Sequence, residues 1–196
     1  MKTQIAAALI AASAFATPAL AQRAPAAVVV VVDTDRVYRE CNACRTAQGQ
    51  LQSQVQGLRN RQKALEDQLR PEGTAIQQAV TALAGKQPDA ALTNRAKAFQ
   101  TRQDQANQEL ARTQQNLQSV QANVLRQINE KLGPVINQVM TQKGANVAVD
   151  VDATLAHGSA INVTNDVLAA LNQQLPSISV TPLPQQQQTQ QTPQGR

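Results

Sequence analysis

Two cysteines are spaced for thiol chemistry. The stretch Cys41-Asn42-Ala43-Cys44 is a C-x-x-C motif, and a helix that begins at such a motif stabilises a thiolate. A thioredoxin-type redox centre also requires a βαβ context. Here a single strand-like segment precedes the motif and a long helix-forming stretch follows it. Three interpretations therefore remain open: a structural disulfide, a catalytic redox pair, and two reduced thiols packed in a helix seam.

Four aspartates and one histidine are the candidates for a metal site. Asp33 and Asp35 follow one run of valines, and Asp150 and Asp152 lie toward the end of another. Converging carboxylates suit a hard cation, but aspartates at strand ends more commonly accept backbone hydrogen bonds in turns. His157 is the single histidine, so it has no second imidazole for a zinc site. We predict no metal, no cofactor and no catalytic residue, and hence no enzyme.

The middle of the chain is basic. Residues 41–143 contain 13 Lys and Arg against 7 Asp and Glu, so an acidic polypeptide or an anionic lipid surface is the favoured partner. Nucleic acid is disfavoured because aromatic stacking platforms are missing from the sequence. We call eight of these residues the arm cations, and each is a candidate partner-binding residue or simply part of the solvated face of a helix. They are Arg59, Arg61, Lys63, Arg70, Lys86, Arg95, Lys97 and Arg102.

The arm cations lie in two long helix-forming stretches. A heptad pattern of apolar residues begins at Cys41 and reaches Leu83, and a second follows the stop-and-turn segment 85–89, with Asp89 as a helix N-cap. The seam contains several Gln and Glu, so it is weak. Its continuity nevertheless predicts an antiparallel coiled-coil hairpin over residues 41–143, with its tip near residues 85–89.

Two features modify this hairpin. Pro71 and Gly73 interrupt the heptad pattern of the first helix, which predicts a kink or local unwinding and makes them the candidate hinge of the arm. In the second helix the apolar pattern shifts phase at Ile128. Such a shift is expected where a helix leaves one packing partner for another.

The hairpin brings together the two ends of a small β-rich body, residues 22–40 and 144–175. One predicted strand follows the valine run and the other alternates apolar and polar residues. Segment 160–163 is a candidate third strand, and Thr164 is the predicted N-cap of a last helix that ends before Pro176. The predicted residues of the body strands are Val28, Val30, Val32, Val147, Val149 and Val151.

So few strands are too little for a stable body in one chain. The predicted fold class is therefore α+β: a small β-barrel body completed by oligomerisation, with a long antiparallel helical hairpin as an arm.

Both ends of the sequence have distinct compositions. Residues 1–21 have a basic start, an apolar stretch and a small-residue cleavage pattern, which predicts a signal peptide cut between Ala21 and Gln22 and export to the periplasm. Residues 176–196 are rich in Gln and Pro and have no apolar period. We expect this tail to be disordered.

Three segments together resemble the Skp (OmpH-like) family of periplasmic chaperones. They are the strand-to-helix entry "VVVVVDTDRVY", the return strand "NVAVDVDATLA" and the last helix "INVTNDVLAALN", in that order around the basic hairpin. The resemblance covers the whole order of parts. The Cys pair, the Gln-rich arms and the tail depart from the best-known members, so no individual binding residue is carried over.

The resemblance implies a homotrimer whose β-barrel body projects three helical arms around a cavity. Its implied function is an ATP-independent holdase that keeps unfolded outer-membrane β-barrel proteins from aggregating, with anionic outer-membrane lipid as a further partner. Two alternatives remain. The chain could be a structural spacer or envelope tether that uses the coiled coil for reach, or a thiol-disulfide oxidoreductase that uses Cys41 and Cys44.

Overall fold

The computed structural model describes residues 25–183, in which two long antiparallel helices predominate. The predicted signal peptide, its cleavage site at Ala21 and Gln22, and residues 184–196 of the tail lie outside this range. None of the helices in residues 25–183 is both long and apolar enough to cross a membrane. In chain order the elements are β1 (Val29–Val32), α1 (Thr34–Glu40), α2 (Asn42–Ala82), α3 (Ala90–Gln142), β2 (Val147–Asp150) and α4 (Thr164–Gln174), with 3₁₀ turns at Val151–Ala153 and Ser159–Ile161.

The chain passes from β1 into the arm through a short helix. The Asp33 carboxylate accepts a hydrogen bond from the Arg36 amide at 2.7 Å and so caps the N-terminus of α1. Cys41 has an extended backbone, with φ −60° and ψ 138°, which ends α1 and starts α2. One helix therefore stops and a second begins at the first residue of the C-x-x-C motif.

The arm is formed by α2 and α3. The helices contain 41 and 53 residues, which makes them about 60 and 80 Å long. Ala84 and Gly85 turn the chain at the tip with φ of 47° and 89°, and the left-handed conformation is one that glycine adopts without a steric penalty. The Asp89 carboxylate then accepts a bond from the Leu92 amide at 2.8 Å and caps α3, as the sequence predicts.

Helix α2 passes through Pro71 without interruption, so the predicted local unwinding is not observed. Gly73 has a packing role: a β-carbon there would lie 3.1 Å from the tip of the Phe99 ring on α3. The absence of a side chain at residue 73 thus lets the ring approach the α2 backbone. Whether Pro71 and Gly73 form a hinge stays a prediction.

The sheet consists of β1 and β2 in parallel, with Val29 opposite Val147 and Val32 opposite Asp150. The third predicted strand is reduced to a single bridge between Val31 and Asn162. Such a small sheet is an open structure within one chain, and the described residues form no closed barrel.

Two predicted strand residues lie outside the strands. Val28 precedes β1, and its carbonyl oxygen accepts bonds from the Asn146 and Val147 amides. Val151 begins a 3₁₀ turn because the Asp150 carboxylate accepts a bond from the Asp152 amide at 3.0 Å and bends the chain there.

The main core lies where α4 packs on the proximal part of the arm. It joins Val30 and Val32 of β1, Val37 of α1 and Leu171 of α4 to one face of α3 between residues 120 and 139. The predicted phase shift at Ile128 falls within this face, where α3 contacts α4 as well as α2.

Thr164 is the first residue of α4 and not its N-cap, which is Val163. The Thr164 hydroxyl accepts a bond from the Asp33 amide at 2.9 Å and donates one to Asn162 at 2.7 Å. The Thr164 side chain therefore joins the start of α4 to the end of β1, because its hydroxyl accepts from the Asp33 amide while it donates to Asn162.

The tail prediction is wrong for its first part. Residues 176–183, which we call the strap, lie against the arm, with Ile178 and Val180 packed on the core. The compositional argument for disorder fails here because these two apolar side chains have a surface to pack against and the strap backbone finds hydrogen-bond partners on both arm helices.

Candidate functional site

Most side chains of the arm are exposed to solvent, and few are buried. Between residues 48 and 119 only Leu65 and Ala106 are buried, so the distal parts of α2 and α3 are held together by a narrow seam. A helical pair of this kind can offer a long polar and basic surface to another molecule.

Ion pairs across the hairpin reinforce the narrow seam. Arg61 on α2 holds Glu109 on α3 through two hydrogen bonds of 2.6 and 2.9 Å. Farther out, Glu72 on α2 accepts from Arg102 at 2.5 Å and has Arg95 at 3.7 Å. The hydrogen bond from Arg102 lowers the pKa of Glu72, and the hydrogen bond from Arg61 lowers the pKa of Glu109.

The eight arm cations fall into three groups. Arg61, Arg95 and Arg102 pair across the hairpin, while Lys63 and Arg70 both pair with Asp67 within α2. Within residues 25–183, no carboxylate lies within salt-bridge distance of the remaining three. These are Arg59, Lys86 and Lys97, and they are the cations with the most freedom to meet an anionic partner.

A cavity of about 580 Å³ opens between the helices beside Gly73 and Phe99. Leu65, Leu69 and Leu110 form its apolar wall, and polar side chains from both helices form its rim. Its two walls belong to separate helices. The cavity is therefore a groove open to solvent along the arm.

The strap occupies the arm groove nearer the body. Gln54 of α2 donates to the Val180 carbonyl oxygen at 3.2 Å, and Asn123 of α3 donates to that of Thr181 at 2.9 Å. Both bonds end on backbone atoms of the strap. An apolar cavity of about 310 Å³, lined by Leu117 and Val120, lies beside them.

The two cysteines of the C-x-x-C motif form a disulfide. Each is 1% exposed, so neither sulfur is accessible to a thiol of another protein in this conformation. The Cys41 sulfur also accepts a bond from the Cys44 amide at 3.0 Å at the start of α2. Burial and local bonding favour the structural interpretation over the redox one.

The candidate carboxylates of the two strand ends do not form a common site in the described residues. Asp33 caps α1, Asp35 pairs with Arg39 at 3.9 Å, and Asp150 accepts from the Thr34 hydroxyl. That hydrogen bond lowers the pKa of Asp150. No group of three or more His, Cys, Asp or Glu in the described part of the chain is arranged to hold a metal.

Sequence reasoning missed the acidic partners and the strap. Glu72 and Glu109 lie on the same two helices as the arm cations, but their pairing depends on how the helices align. The strap carried a readable signal in the alternation of Ile178, Val180 and Pro182. This alternation is short, and the Gln-rich sequence that follows the strap dominates the composition of the tail.

The architecture defines a class of protein: a small α/β body with a long, thinly packed helical hairpin and no assembled catalytic centre in the described residues. Residues 28–171 match the family described as outer membrane protein (OmpH-like). This match spans most of the sequence, and the chain therefore belongs to the OmpH-like outer membrane chaperone family.

A solved structure has the same fold. A candidate outer membrane chaperone (OmpH-like) from Caulobacter crescentus is similar at a TM-score of 0.68 and 19% sequence identity, over 83% of this chain and 96% of that one. At this identity the likeness concerns the fold alone. No curated protein matches the sequence of this chain.

Proposed function

We propose that the protein is an ATP-independent periplasmic holdase that binds unfolded outer-membrane β-barrel proteins between helical arms. The observation that carries this proposal is the construction of the arm, whose outer part buries only Leu65 and Ala106 between residues 48 and 119. Membership of an outer membrane chaperone family supports the same assignment. Binding by many weak polar and charged contacts suits a chaperone that must release its client.

We further propose that three copies complete a β-barrel body. Several large apolar side chains at the sheet and its adjoining loop are exposed: Val28 at 48%, Val29 at 37%, Val147 at 38% and Leu155 at 108%. Contact with other copies would remove this apolar surface from water. The number three comes from the family resemblance.

The test is aggregation of a urea-unfolded outer-membrane β-barrel protein diluted into buffer with the mature protein, with the oligomer mass measured by light scattering. We expect a trimer that suppresses aggregation at one client per trimer, and suppression that weakens as salt screens the arm cations. A trimer without suppression would instead support the structural spacer. Loss of aggregation suppression in the Cys44→Ser variant would support the thiol-disulfide oxidoreductase.

The hinge proposal has its own test. Pro71→Ala with Gly73→Ala should reduce the spread of arm-tip distances measured between spin labels, because alanine restores the backbone N–H at residue 71 and stiffens residue 73. Unchanged distance distributions and unchanged solution scattering would show that the arm moves elsewhere.

A further inference from the structure

The strap is held to the arm through its backbone. Ser179 donates its amide to the Gln127 side-chain oxygen at 2.9 Å and accepts from the Gln127 side-chain nitrogen at 2.9 Å. Asn123 donates to the Thr181 carbonyl oxygen, and the Leu183 amide donates to the Ser119 hydroxyl at 3.0 Å. With the bond from Gln54 to Val180, every one of these hydrogen bonds ends on a main-chain atom of the strap.

The spacing of these contacts follows from the geometry of the two partners. Ser119, Asn123 and Gln127 are four residues apart and so lie one above another on α3, about 6 Å from one to the next. They contact Leu183, Thr181 and Ser179, which are two residues apart. Two residues of an extended chain span nearly the same length. An extended segment can therefore keep register with this polar ladder.

The polar ladder, formed by Ser119, Asn123 and Gln127, is a preformed site on α3. Asn123 is 5% exposed, and its side-chain oxygen is held at 2.9 Å by Arg126, which leaves its amide nitrogen directed at the strap. Beside the ladder, Ile178 and Val180 pack on the core. The site therefore combines main-chain hydrogen bonds with apolar contacts at every second residue.

This combination fits a particular class of ligand. Main-chain hydrogen bonds accept any extended polypeptide with little regard to its sequence. Apolar contact at alternate residues favours segments in which every second side chain is apolar, which is the pattern of transmembrane β-strands. The apolar cavity of about 310 Å³ beside Val180 leaves room for side chains larger than valine.

We infer that the strap groove, formed by Ser119, Asn123 and Gln127 of α3 with Gln54 of α2, is a binding site for extended segments of unfolded client protein. The strap occupies it as an intramolecular competitor. This inference rests on the proposed holdase function, and it assigns a specific place on the arm to client binding. A client segment binds there by displacing the strap, and the strap returns when the client leaves.

The test uses the full mature chain and a fluorescein-labelled peptide of the strap sequence, PSISVTPL. Ile178→Asp with Val180→Asp should release the strap, because two charges replace its apolar anchors. The matched control is Pro176→Asp with Ser177→Asp, which adds the same charge to the same segment at two exposed positions outside the contacts with Ser119, Asn123 and Gln127. Peptide affinity is measured by fluorescence anisotropy, and aggregation of a urea-unfolded outer-membrane β-barrel protein is followed in parallel.

We expect the released variant to bind the peptide at least tenfold more tightly than the unaltered chain or the control. Adding Asn123→Leu and Gln127→Leu should abolish this gain, and the unfolded β-barrel protein should displace the peptide. The inference is overturned if the gain is absent, if it survives the leucine substitutions, or if the unfolded protein leaves the peptide bound while aggregation is still suppressed.

Two further measurements keep the outcome interpretable. If the released variant loses its helical circular dichroism, a chain ending at Leu175 replaces it, because that truncation removes the strap without adding charge. If no variant suppresses aggregation but the peptide still binds through Asn123 and Gln127, the holdase proposal fails and the groove is a structural clasp for the strap.

Discussion

Phe99 on α3 lies directly over Gly73 on α2, so close that a β-carbon at residue 73 would stand 3.1 Å from the ring. The two helices approach at this point because residue 73 has no side chain. The Phe99 ring also lines the cavity of about 580 Å³ between the two helices. One aromatic side chain thus helps to set both the spacing of the helices and the shape of the groove.

The first prediction concerns this contact. Alanine in place of a mid-helix glycine stabilises by about 1 kcal/mol, but here the new methyl group must displace the Phe99 ring. We expect Gly73→Ala to change the free energy of unfolding little in the native chain, and to stabilise by about 1 kcal/mol when Phe99→Leu is also present. Urea unfolding of the native chain, Gly73→Ala, Phe99→Leu and the double variant, all at one protein concentration, measures the coupling energy between residues 73 and 99. Equal effects of Gly73→Ala in both backgrounds would contradict it.

The second prediction concerns acid. The pKa of Glu72 is lowered from its usual 4.5, chiefly by the hydrogen bond from Arg102. A carboxylate whose pKa is lower in the folded state adds stability above its unfolded pKa, and this stability is lost as the pH falls through the folded value. The stability difference between the native chain and Glu72→Gln should therefore be present at pH 6 and shrink toward pH 3.

Glu66→Gln is the matched control for that experiment. Its carboxylate accepts a bond from Gln62 within α2 and makes no ion pair across the hairpin. Denaturant unfolding followed by circular dichroism at each pH gives the comparison. A Glu72→Gln difference that stays constant with pH would show that the contact with Arg102 contributes nothing to the acid response.

The third prediction compares the arm cations that have no carboxylate in reach with those that pair across the hairpin. Arg59→Gln, Lys86→Gln and Lys97→Gln together should weaken binding of an unfolded β-barrel client on the order of tenfold at low salt, since three exposed contacts of roughly 0.5 kcal/mol each are lost. The stability of the arm should not change. Client affinity from fluorescence anisotropy and stability from urea unfolding test both parts.

The matched triple variant replaces the cations that pair across the hairpin. Arg61→Gln, Arg95→Gln and Arg102→Gln change the net charge equally, but they also remove the ion pairs with Glu72 and Glu109. This variant should be less stable than the first. If the two variants lost client affinity and stability equally, the arm would be acting through net charge alone.

The fourth prediction concerns the junction of α4 with β1. Thr164 is 1% exposed, and its hydroxyl satisfies the Asp33 amide. Thr164→Val keeps the shape but leaves that amide without its partner, which should destabilise the body by about 1 to 3 kcal/mol. Thr101→Val is the control, since Thr101 is exposed and bonds only to its own helix. Similar urea midpoints for the two variants would refute the role given to Thr164.

The fifth prediction concerns the disulfide. Replacing both Cys41 and Cys44 with Ser should destabilise the protein by about 2 kcal/mol, as loop-closure entropy for so short a loop predicts, and leave suppression of client aggregation intact. Thermal unfolding with and without dithiothreitol checks the cause. The reductant should lower the midpoint of the native chain and leave the double variant unchanged. If dithiothreitol lowered the midpoint of both the native chain and the double variant, its effect would not come from the disulfide.

The sequence was most informative about the elements with a long apolar period. The hairpin, its tip near Gly85 and the cap at Asp89 could be predicted because a heptad pattern, a helix stop and an N-cap are all local signals. The two strands could be predicted for the same reason. Their limits could not: Val151 looks like a strand residue until the Asp150 carboxylate is seen to turn the chain.

The less predictable features all depend on contacts between distant residues. Thr164 binds Asp33 from 131 positions away, and Arg61 binds Glu109 across 48 positions. Gly73 looked like a helix breaker because its neighbour Phe99 is unknown until the two helices are aligned. The strap is placed by its contacts with the arm and not by its own composition, so its composition gives no indication of them.

Strand β1 is synthesised well before its partner strand β2. Val28 is joined to Asn146, 118 residues farther along, and at ordinary synthesis rates that partner emerges roughly 6 to 24 seconds later. Throughout this interval the five consecutive valines that begin at Val28 form an uncharged segment of high β propensity with no strand to pair with. In the newly made chain this valine segment is therefore prone to aggregate until the residues of β2 have emerged.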